Sequence, residues 1–227
     1  MLLSIIIPVY NEELTIGDVI DRVKAVVMRT GLKSEILVID DHSYDRSVEV
    51  AKKHGIKLYS LKEHLGKGYA LRAGFAKATG DIIVTIDSDG SHLPEELPEV
   101  LAPILHDQAD LVIGSRFLNH KRVATRRLNA FGVRAFNLLI ELATGVAITD
   151  SQSGYRAMKR TVLKSQKLYS REYEIESEML VKTAKKNFRI TEVPISFEQR
   201  TYGRSGVDPL FDGSKILFWI FLASVEG

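Results

Sequence analysis

Apolar runs recur at regular intervals through the first half of the chain. They predict strands at Leu2–Val9, Glu35–Asp40, Ile56–Leu61, Asp81–Asp87 and Ala109–Ser115. Apolar residues fill these runs almost continuously and do not alternate with polar ones. That pattern is typical of strands buried on both faces of a parallel sheet.

Helical patterns separate these strands. In the first of them Val19, Ile20, Val23, Val26 and Val27 share one face, and Gly31 follows. Further helices are predicted from an N-cap at Ser43 to His54, over Lys67–Ala78, and from Pro94 or Pro98 to His106. The alternation predicts an α/β fold with a Rossmann-like, doubly wound, mostly parallel sheet flanked by helices.

The second half of the chain is less regular. We expect helices over Arg126–Thr144 and Ile175–Lys186, a strand over Arg189–Phe197 and an amphipathic helix from Pro209. No repeat, low-complexity stretch or linker interrupts the sequence. We therefore predict a single domain over residues 1–227, with a first half of 1–115 and a smaller second half of 116–227.

The composition excludes some kinds of functional site. The 227 residues include no cysteine, which excludes disulfides and thiolate metal sites, and a net charge of +2 gives no indication of nucleic-acid binding. Between Leu111 and Ile140 there is no acid, and six cations fall there: Arg116, Lys121, Arg122, Arg126, Arg127 and Arg134. Such a segment attracts phosphates or anionic lipid headgroups, although a solvated helix face is the alternative.

Acidic residues follow three of the predicted strands. The strand ends read Pro8-Val9-Tyr10-Asn11-Glu12, Asp40-Asp41-His42-Ser43 and Asp87-Ser88-Asp89. Carboxyl ends of parallel strands meet at one rim, where such sheets bind ligands. Carboxylates crowded there repel one another unless a cation is present, so we expect Mg²⁺ or Mn²⁺ to bridge them to a diphosphate. Solvated turn acids are the alternative for Asp87 and Asp89 taken alone.

Other residues are candidates for the same rim. Gly66-Lys67-Gly68 opens a helix, where glycine permits close approach and lysine neutralises phosphate. Tyr10 is a candidate to stack on a base or to pack in the core. Asp150 is a candidate base, and the alternatives are that it caps a turn or pairs with Arg156. We interpret Glu174, Glu176 and Glu178 as a solvated helix face, with one of them reaching the site as the alternative. We interpret His42 and His92 as making ordinary hydrogen bonds, with metal ligation as the alternative.

Seven motifs occur in order along the chain. They are P-V-Y-N-E, D-D-H-S-x-D, L-G-K-G-Y-A-L-R-A-G-F, D-S-D-G-S-H-x-P-E, G-S-R, D-S-Q-S-G-Y-R-A and R-x-x-G-x-S. Together, from Ser4 to about Gly213, they resemble the family 2 glycosyltransferases of GT-A fold. The likeness is greatest to the dolichyl-phosphate mannose synthase group and its polyprenyl-phosphate sugar transferase relatives.

The resemblance implies roles for particular residues. It puts the nucleotide-sugar donor against Pro8, Tyr10, Glu12, Asp40, Ser43, Lys67, Asp87, Ser88, Asp89 and Arg200. It puts the metal at Asp87, Asp89 and Ser91. It puts the acceptor phosphate among Arg116, Arg126, Arg127, Arg200 and Arg204, and catalysis on Asp89, Arg116, Arg127 and Asp150. The first half then binds the nucleotide sugar and the second half the acceptor.

Two positions depart from the family pattern. Ser91 stands where the family often has Gln, so that a hydroxyl or a water must fill a metal position. Gly206 stands where Lys is usual, and Arg204 is a possible substitute.

The implied function is inverting, metal-dependent transfer of a sugar from GDP-mannose or a UDP-sugar to dolichyl or polyprenyl phosphate. The alternatives are transfer to a hydroxyl with Asp150 as base, a sugar-nucleotidyltransferase, and a non-catalytic nucleotide-binding module. The basic segment and the apolar stretch Ile216–Ala223 predict a peripheral enzyme at the cytoplasmic face of a membrane. No targeting segment is expected, because the apolar N-terminus lacks a basic lead.

Overall fold

A seven-stranded sheet forms the centre of the described structure. The computed structural model describes residues 1–118, 127–198 and 211–225, and for 127–131 and 211 only the backbone. The sheet order is β3-β2-β1-β4-β6-β5-β7, and all strands run parallel except β6. Their bounds are β1 Leu2–Val9, β2 Lys33–Asp40, β3 Lys57–Ser60, β4 Ile82–Thr85, β5 Leu111–Ser115, β6 Arg156–Lys159 and β7 Ile190–Pro194.

Helices cover both faces of this sheet. They are α1 Ile16–Thr30, α2 Ser47–Lys52, α3 Lys67–Lys77, α4 Leu97–Leu105, α5 Arg127–Thr144, α6 Arg160–Lys164, α7 Ile175–Lys185 and α8 Phe211–Val225, with a 3₁₀ turn at Pro94–Glu96. One apolar core lies beneath α1, α2 and α4, and the other beneath α3, α5, α6, α7 and α8. The predicted doubly wound α/β architecture is confirmed.

Local sequence accounts for α1. Its apolar residues recur three and four positions apart, so one face of the helix is buried against the sheet. Gly31 ends the helix with φ of 67°, a left-handed conformation that costs glycine little.

Successive strands are added first on one side of β1 and then on the other. Strands β1, β2 and β3 extend one way, and α3 then returns the chain to the other side of β1, where β4 pairs with it. The carboxyl ends of β1 and β4 therefore form a topological switch point, the usual ligand crevice of open α/β sheets.

Strand β6 was not predicted. Its sequence, Arg-Ala-Met-Lys, has no apolar run, yet it lies between β4 and β5 and is antiparallel to both. Arg156 is 1% exposed, and its guanidinium donates to the carbonyl oxygens of Ser151, Ser153 and Glu176. A buried cation is stable in a strand when its donors are satisfied in this way.

The predicted N-cap at Ser43 is wrong. Helix α2 begins at Ser47, because Ser43 takes part in the loop that precedes it. The Ser43 N–H donates to Asp40 Oδ1 at 3.0 Å, and its hydroxyl accepts from the Asn11 N–H at 3.0 Å. Ser43 therefore ties together the ends of β1 and β2.

A buried carboxylate lies near the amino-terminal ends of β1 and β2, at the rim of the sheet opposite the switch point. Glu35 accepts hydrogen bonds from the Ser4 hydroxyl, Lys57 and the Thr79 N–H and hydroxyl at 2.5 to 2.7 Å. Burial raises the pKa of Glu35, but these donors outweigh it and lower the pKa from 4.5 to about 2.

We expect Glu35→Gln to lower the free energy of unfolding at pH 7 by at most roughly 3 kcal/mol, the value of that pKa shift. A depressed carboxylate pKa stabilises the fold above the unfolded-state pKa, and this stabilisation is lost as pH falls from 4.5 to about 2. Urea unfolding at pH 7 and near pH 2 measures it. A difference between variant and parent that stays constant with pH would contradict the assignment.

Candidate active site

Lys67 and Asp87 meet at the switch point. Lys67 is the first residue of α3, and Asp87 lies two residues beyond β4. Their Nζ and Oδ1 atoms are 2.7 Å apart. The structure thus brings together two predicted site residues that are 20 positions apart in sequence.

Glu176 joins this pair from the first turn of α7. Its Oε1 lies 2.9 Å from Lys67 Nζ, and its side chain is 5% exposed. The interpretation of Glu174, Glu176 and Glu178 as a solvated face is wrong, since all three are buried, and the contact of Glu176 with Lys67 agrees with the alternative that one of them reaches the site. Helical periodicity gave no indication of Glu176, because α7 is buried on nearly all sides.

Burial and charge compete within this cluster. Burial lowers the pKa of Lys67, but Asp87 and Glu176 outweigh it, and the pKa is raised above its ordinary value. Burial raises the pKa of Asp87, but Lys67 and, less strongly, His92 and Arg116 outweigh it, and the pKa is lowered. Lys67 and Asp87 are therefore charged at neutral pH.

Asp89 is oriented by the turn that follows β4. Its Oδ1 accepts from the Ser91 N–H at 3.0 Å and from the Ser91 hydroxyl at 2.6 Å. Ser91 stands where the resemblance implies a metal position. It is buried, and its hydroxyl donates to Asp89. Ser88, between the two aspartates, is also buried.

His92 contradicts the expectation of ordinary hydrogen bonds. It is 1% exposed between the rings of Tyr155 and Phe197, and within the described residues neither ring nitrogen has a hydrogen-bond partner. Its Nδ1 lies 3.6 Å from Asp87 Oδ2. Burial lowers the pKa of His92, although Asp87 and Asp89 oppose this.

An aromatic wall borders the rim at the ends of β1 and β2. The Tyr10 ring is 38% exposed and stacks on His64, with ring centres 3.9 Å apart and planes 16° apart. Tyr44 meets Tyr10 edge-on. Tyr10 therefore presents part of its ring to solvent at the rim.

Asp41 holds the loop that leads into α3. Its carboxylate accepts from the N–H groups of Leu65 and Gly66 at 2.8 Å each and lies 2.7 Å from His64 Nδ1. Asp41 was not among the predicted site residues, although its place beside Asp40 in Asp-Asp-His-Ser was visible. It fixes the backbone directly before Lys67.

The other predicted donor residues line the same strand ends. Pro8 is in β1 opposite Ile39, and Asp40, 2% exposed, ends β2. Glu12 is 8% exposed, its N–H donates to the Ser47 hydroxyl, and its carboxylate accepts from Thr15. These contacts fix the backbone that follows β1.

Arg116 and Asp150 form a second, buried unit. Asp150, which is fully buried, accepts from the Arg116 N–H and from guanidinium Nε and Nη2 at 2.7 to 2.9 Å. The partner of Asp150 is thus Arg116, whereas Arg156 donates to carbonyl oxygens. Glu192, which sequence reasoning missed, accepts from the N–H groups of Thr149 and Asp150.

Several predicted site residues lie wholly or partly outside the described part of the chain. Arg126, Arg200, Arg204 and Gly206 lie outside the described residues, and of Arg127 only the backbone is described.

The donor set at the rim fits a hard divalent cation that binds together with a diphosphate. Among the described residues no three His, Cys, Asp or Glu side chains are grouped to hold a metal by themselves. Mg²⁺ is ordinarily held by one or two carboxylates, with phosphate oxygens and water completing its octahedron. Asp87 and Asp89 match that requirement.

Gly154 closes the site from the β6 side. A Cβ at this position would lie 2.7 Å and 2.8 Å from the Asp87 carboxylate oxygens and 2.9 Å from Lys67 Nζ. Only glycine lets the backbone approach both charges this closely.

We expect Gly154→Ala to lower nucleotide affinity by about tenfold or more, because a displacement near 1 Å in such a site has large effects. Calorimetric titration with a nucleoside diphosphate and Mn²⁺ measures this. Gly132→Ala is the control, since its Cβ meets nothing within 4 Å and alanine favours the helix. Equal affinity in both variants would contradict the expectation.

Comparisons with known proteins show the family to which the chain belongs. Residues 4–166 match the model of "Glycosyl transferase family 2". The chain is 30% identical to the UDP-N-acetylglucosamine--dolichyl-phosphate N-acetylglucosaminyltransferase of Methanococcus voltae, over 97% of this chain and 95% of that protein. It is also 30% identical to the undecaprenyl-phosphate 4-deoxy-4-formamido-L-arabinose transferase of Pseudomonas fluorescens, over 91% of this chain and 60% of the relative.

A solved structure has the same fold. Glucosyl-3-phosphoglycerate synthase from Mycobacterium tuberculosis, in complex with Mn²⁺, UDP-glucose and phosphoglyceric acid, matches with a TM-score of 0.78 and 25% identity, over 98% of this chain and 79% of that chain. With the matched family model covering most of its length, the chain belongs to the family 2 glycosyltransferases.

Proposed function

We propose that this glycosyltransferase moves a sugar from a nucleoside-diphosphate sugar to a polyprenyl or dolichyl phosphate, with inversion at the anomeric carbon and with Mg²⁺ or Mn²⁺ bound. The observation that carries the proposal is the meeting of Lys67 with Asp87, and of Asp89 with Ser91, at the β1/β4 switch point. The names of the two relatives support a polyprenyl phosphate acceptor.

The donor lies across the ends of β1, β2 and β4. The half-exposed Tyr10 ring offers a face on which a base can stack. Asp40 accepts hydrogen bonds from the base or the ribose. Lys67 directs its ammonium towards the diphosphate from the first turn of α3, where the helix N-terminus also favours anions.

Asp87 and Asp89 would hold the divalent cation, which stabilises the negative charge of the leaving diphosphate when bound. Ser91 keeps Asp89 oriented towards the rim. Arg116 adds a fixed positive charge beside the site, because Asp150 holds its guanidinium at two points. Preorganised charges of this kind stabilise a transition state without reorganisation.

A phosphate acceptor needs no strong base. Phosphate monoesters are largely dianionic near neutral pH, with a second pKa of about 6, so that attack requires alignment only. A hydroxyl acceptor would require a base. Asp150, the predicted candidate, directs its carboxylate at Arg116 and is fully buried, which favours the phosphate acceptor.

A cavity beside the rim supports an acceptor of mixed character. It has a volume of about 490 Å³ and opens between the loop before α3, the segment before α7, and α8. Two cations, Arg171 and Lys215, and two carboxylates, Glu172 and Glu174, line it together with the aromatic side chains of Trp219 and Tyr169. This mixture of charged and aromatic groups fits an acceptor with a polar head on an apolar chain.

The test is sugar transfer by the purified protein from a panel of UDP- and GDP-sugars to undecaprenyl phosphate, with Mn²⁺ or with EDTA. We expect undecaprenyl phosphate to receive a sugar from either the UDP-sugars or the GDP-sugars, and only when the metal is present. Inversion is checked by the anomeric configuration of the product. Transfer at the same rate in EDTA would refute the role of the metal.

A second candidate is transfer to a hydroxyl of a small phosphorylated acid. The observation that favours it is the Mycobacterium tuberculosis structure, whose complex contains UDP-glucose and phosphoglyceric acid. The same donor panel separates the two candidate functions. If the second is correct, 3-phosphoglycerate is a better acceptor than the lipid phosphate.

We further propose that the enzyme contacts the cytoplasmic face of a membrane through α5 and α8. None of the helices in the described ranges is both long enough and apolar enough to cross a bilayer. These two neighbouring helices expose an apolar face of seven residues: Leu138, Leu139, Leu142, Leu217, Phe218, Phe221 and Val225. The acid-free basic sequence that precedes α5 matches anionic headgroups.

We expect the protein to float with anionic vesicles at low salt. Phe218→Ser combined with Phe221→Ser should reduce the bound fraction by more than about tenfold, because two aromatic side chains no longer enter the interface. Met28→Ser is the control, since Met28 is more exposed than either phenylalanine but lies on α1. Flotation unaffected by the double substitution would exclude this face.

A further inference from the structure

Lys67 is held by two carboxylates, and the proposed chemistry uses only one of them. Asp87 belongs to the metal-binding pair, whereas Glu176 comes from α7 on the other side of the ammonium. Glu176 Oε1 lies 2.9 Å from Lys67 Nζ, and within the described residues neither Glu176 oxygen accepts a well-directed hydrogen bond from any other group. A buried carboxylate whose one close contact is an ammonium calls for an explanation.

The fold fixes Glu176 in this place. The Arg156 guanidinium donates to the Glu176 backbone carbonyl at 2.8 Å and so ties the first turn of α7 to β6. In the first turn of a helix a carboxylate is also favoured by the helix dipole. The Glu176 carboxylate is therefore fixed beside Lys67.

The charges around Lys67 do not balance. Lys67 is outnumbered by the carboxylates of Asp87, Asp89 and Glu176, and Arg116, which also acts on Asp87, is paired with Asp150. Without a cation the excess negative charge repels a diphosphate, and a divalent ion held by Asp87 and Asp89 would offset it. Were Glu176 neutral, the repulsion in the absence of the ion would be weaker.

We propose that Glu176 makes donor binding conditional on the divalent cation, by cancelling the attraction of Lys67 for phosphate until the metal is present. Glu176 is thus a positioning residue that acts through Lys67 and does not itself contact the donor. The inference rests on the proposed function, because it assumes that the diphosphate binds beside Lys67.

The experiment is calorimetric titration of UDP and of GDP into parent and Glu176→Gln protein, each with EDTA and with Mn²⁺. Loss of the carboxylate should tighten metal-free binding more than binding with Mn²⁺, because a free diphosphate carries more negative charge than its metal complex. We expect the ratio of the two Kd values to fall by about tenfold, the effect of one unit charge at close range. Glu176→Asp, whose shorter side chain withdraws the charge from Lys67, should give an intermediate ratio.

Glu178→Gln is the matched control. Glu178 is a buried carboxylate on the same helix, but it accepts from the N–H groups of Tyr169 and Ser170 and pairs with Lys182. Its loss should lower stability and leave the ratio unchanged. If Glu176→Gln and Glu176→Asp also keep the parent ratio, Glu176 has only a structural role. If the parent binds neither nucleotide, the proposed function fails first and this inference fails with it.

Discussion

Replacing Asp89 with Asn should lower the rate of sugar transfer by about a thousandfold, the usual order for loss of a preorganised charge at a reacting group. The amide can still accept the hydrogen bonds that Asp89 Oδ1 receives from Ser91, so the turn after β4 should persist. What is lost is the negative charge that we propose to bind the cation. Initial rates with saturating donor and Mn²⁺ measure the effect, and circular dichroism checks the fold.

Asp45→Asn is a close control for this substitution. Asp45 Oδ1 accepts from the Ser47 N–H and hydroxyl, the same local pattern, but it stands before α2 and outside the proposed donor contacts. It should retain nearly full activity. If Asp89→Asn were as active as Asp45→Asn, Asp89 would have no part in binding the cation.

Asp150→Ala should lower the free energy of unfolding by about 3–5 kcal/mol, which is the usual result of removing one partner of a buried ion pair. The substitution leaves the Arg116 guanidinium buried without its carboxylate, and it also removes the acceptor of the Arg116 N–H. Urea unfolding at neutral pH measures the loss.

Two further variants test whether the loss of stability in Asp150→Ala comes from the buried ion pair. Asp18→Ala removes a surface partner of Arg22, where the carboxylate is 69% exposed, and should cost less than about 1 kcal/mol. Arg116→Met combined with Asp150→Leu removes both charges and should recover part of the stability lost by Asp150→Ala alone. A cost below about 1 kcal/mol for Asp150→Ala would mean that the pair is not buried as described.

Much of the fold was predictable because the decisive patterns are local. Continuous apolar runs indicated β1 and β4, and the valine and isoleucine spacing indicated α1. The meeting of acidic strand ends at one rim followed from parallel topology, and the observed contact between Lys67 and Asp87 agrees with it. The catalytic roles assigned to these residues remain predictions.

The features that were missed depend on contacts distant in sequence. Strand β6 is stabilised by β4 and β5 on either side and by carbonyl oxygens around Arg156, none of which its own four residues reveal. Glu176 looks like a solvated helical acid until α7 is seen buried against Lys67. Glu192 supports Asp150 through backbone N–H groups from 42 positions away.

Anomalous diffraction from a crystal containing Mn²⁺ and a nucleoside diphosphate tests the central claim most directly. We predict one manganese peak within roughly 2–2.5 Å of carboxylate oxygens of Asp87 or Asp89, with the diphosphate on its other side and Lys67 alongside. A nucleotide bound away from the β1/β4 switch point, or an ion held by neither aspartate, would contradict it.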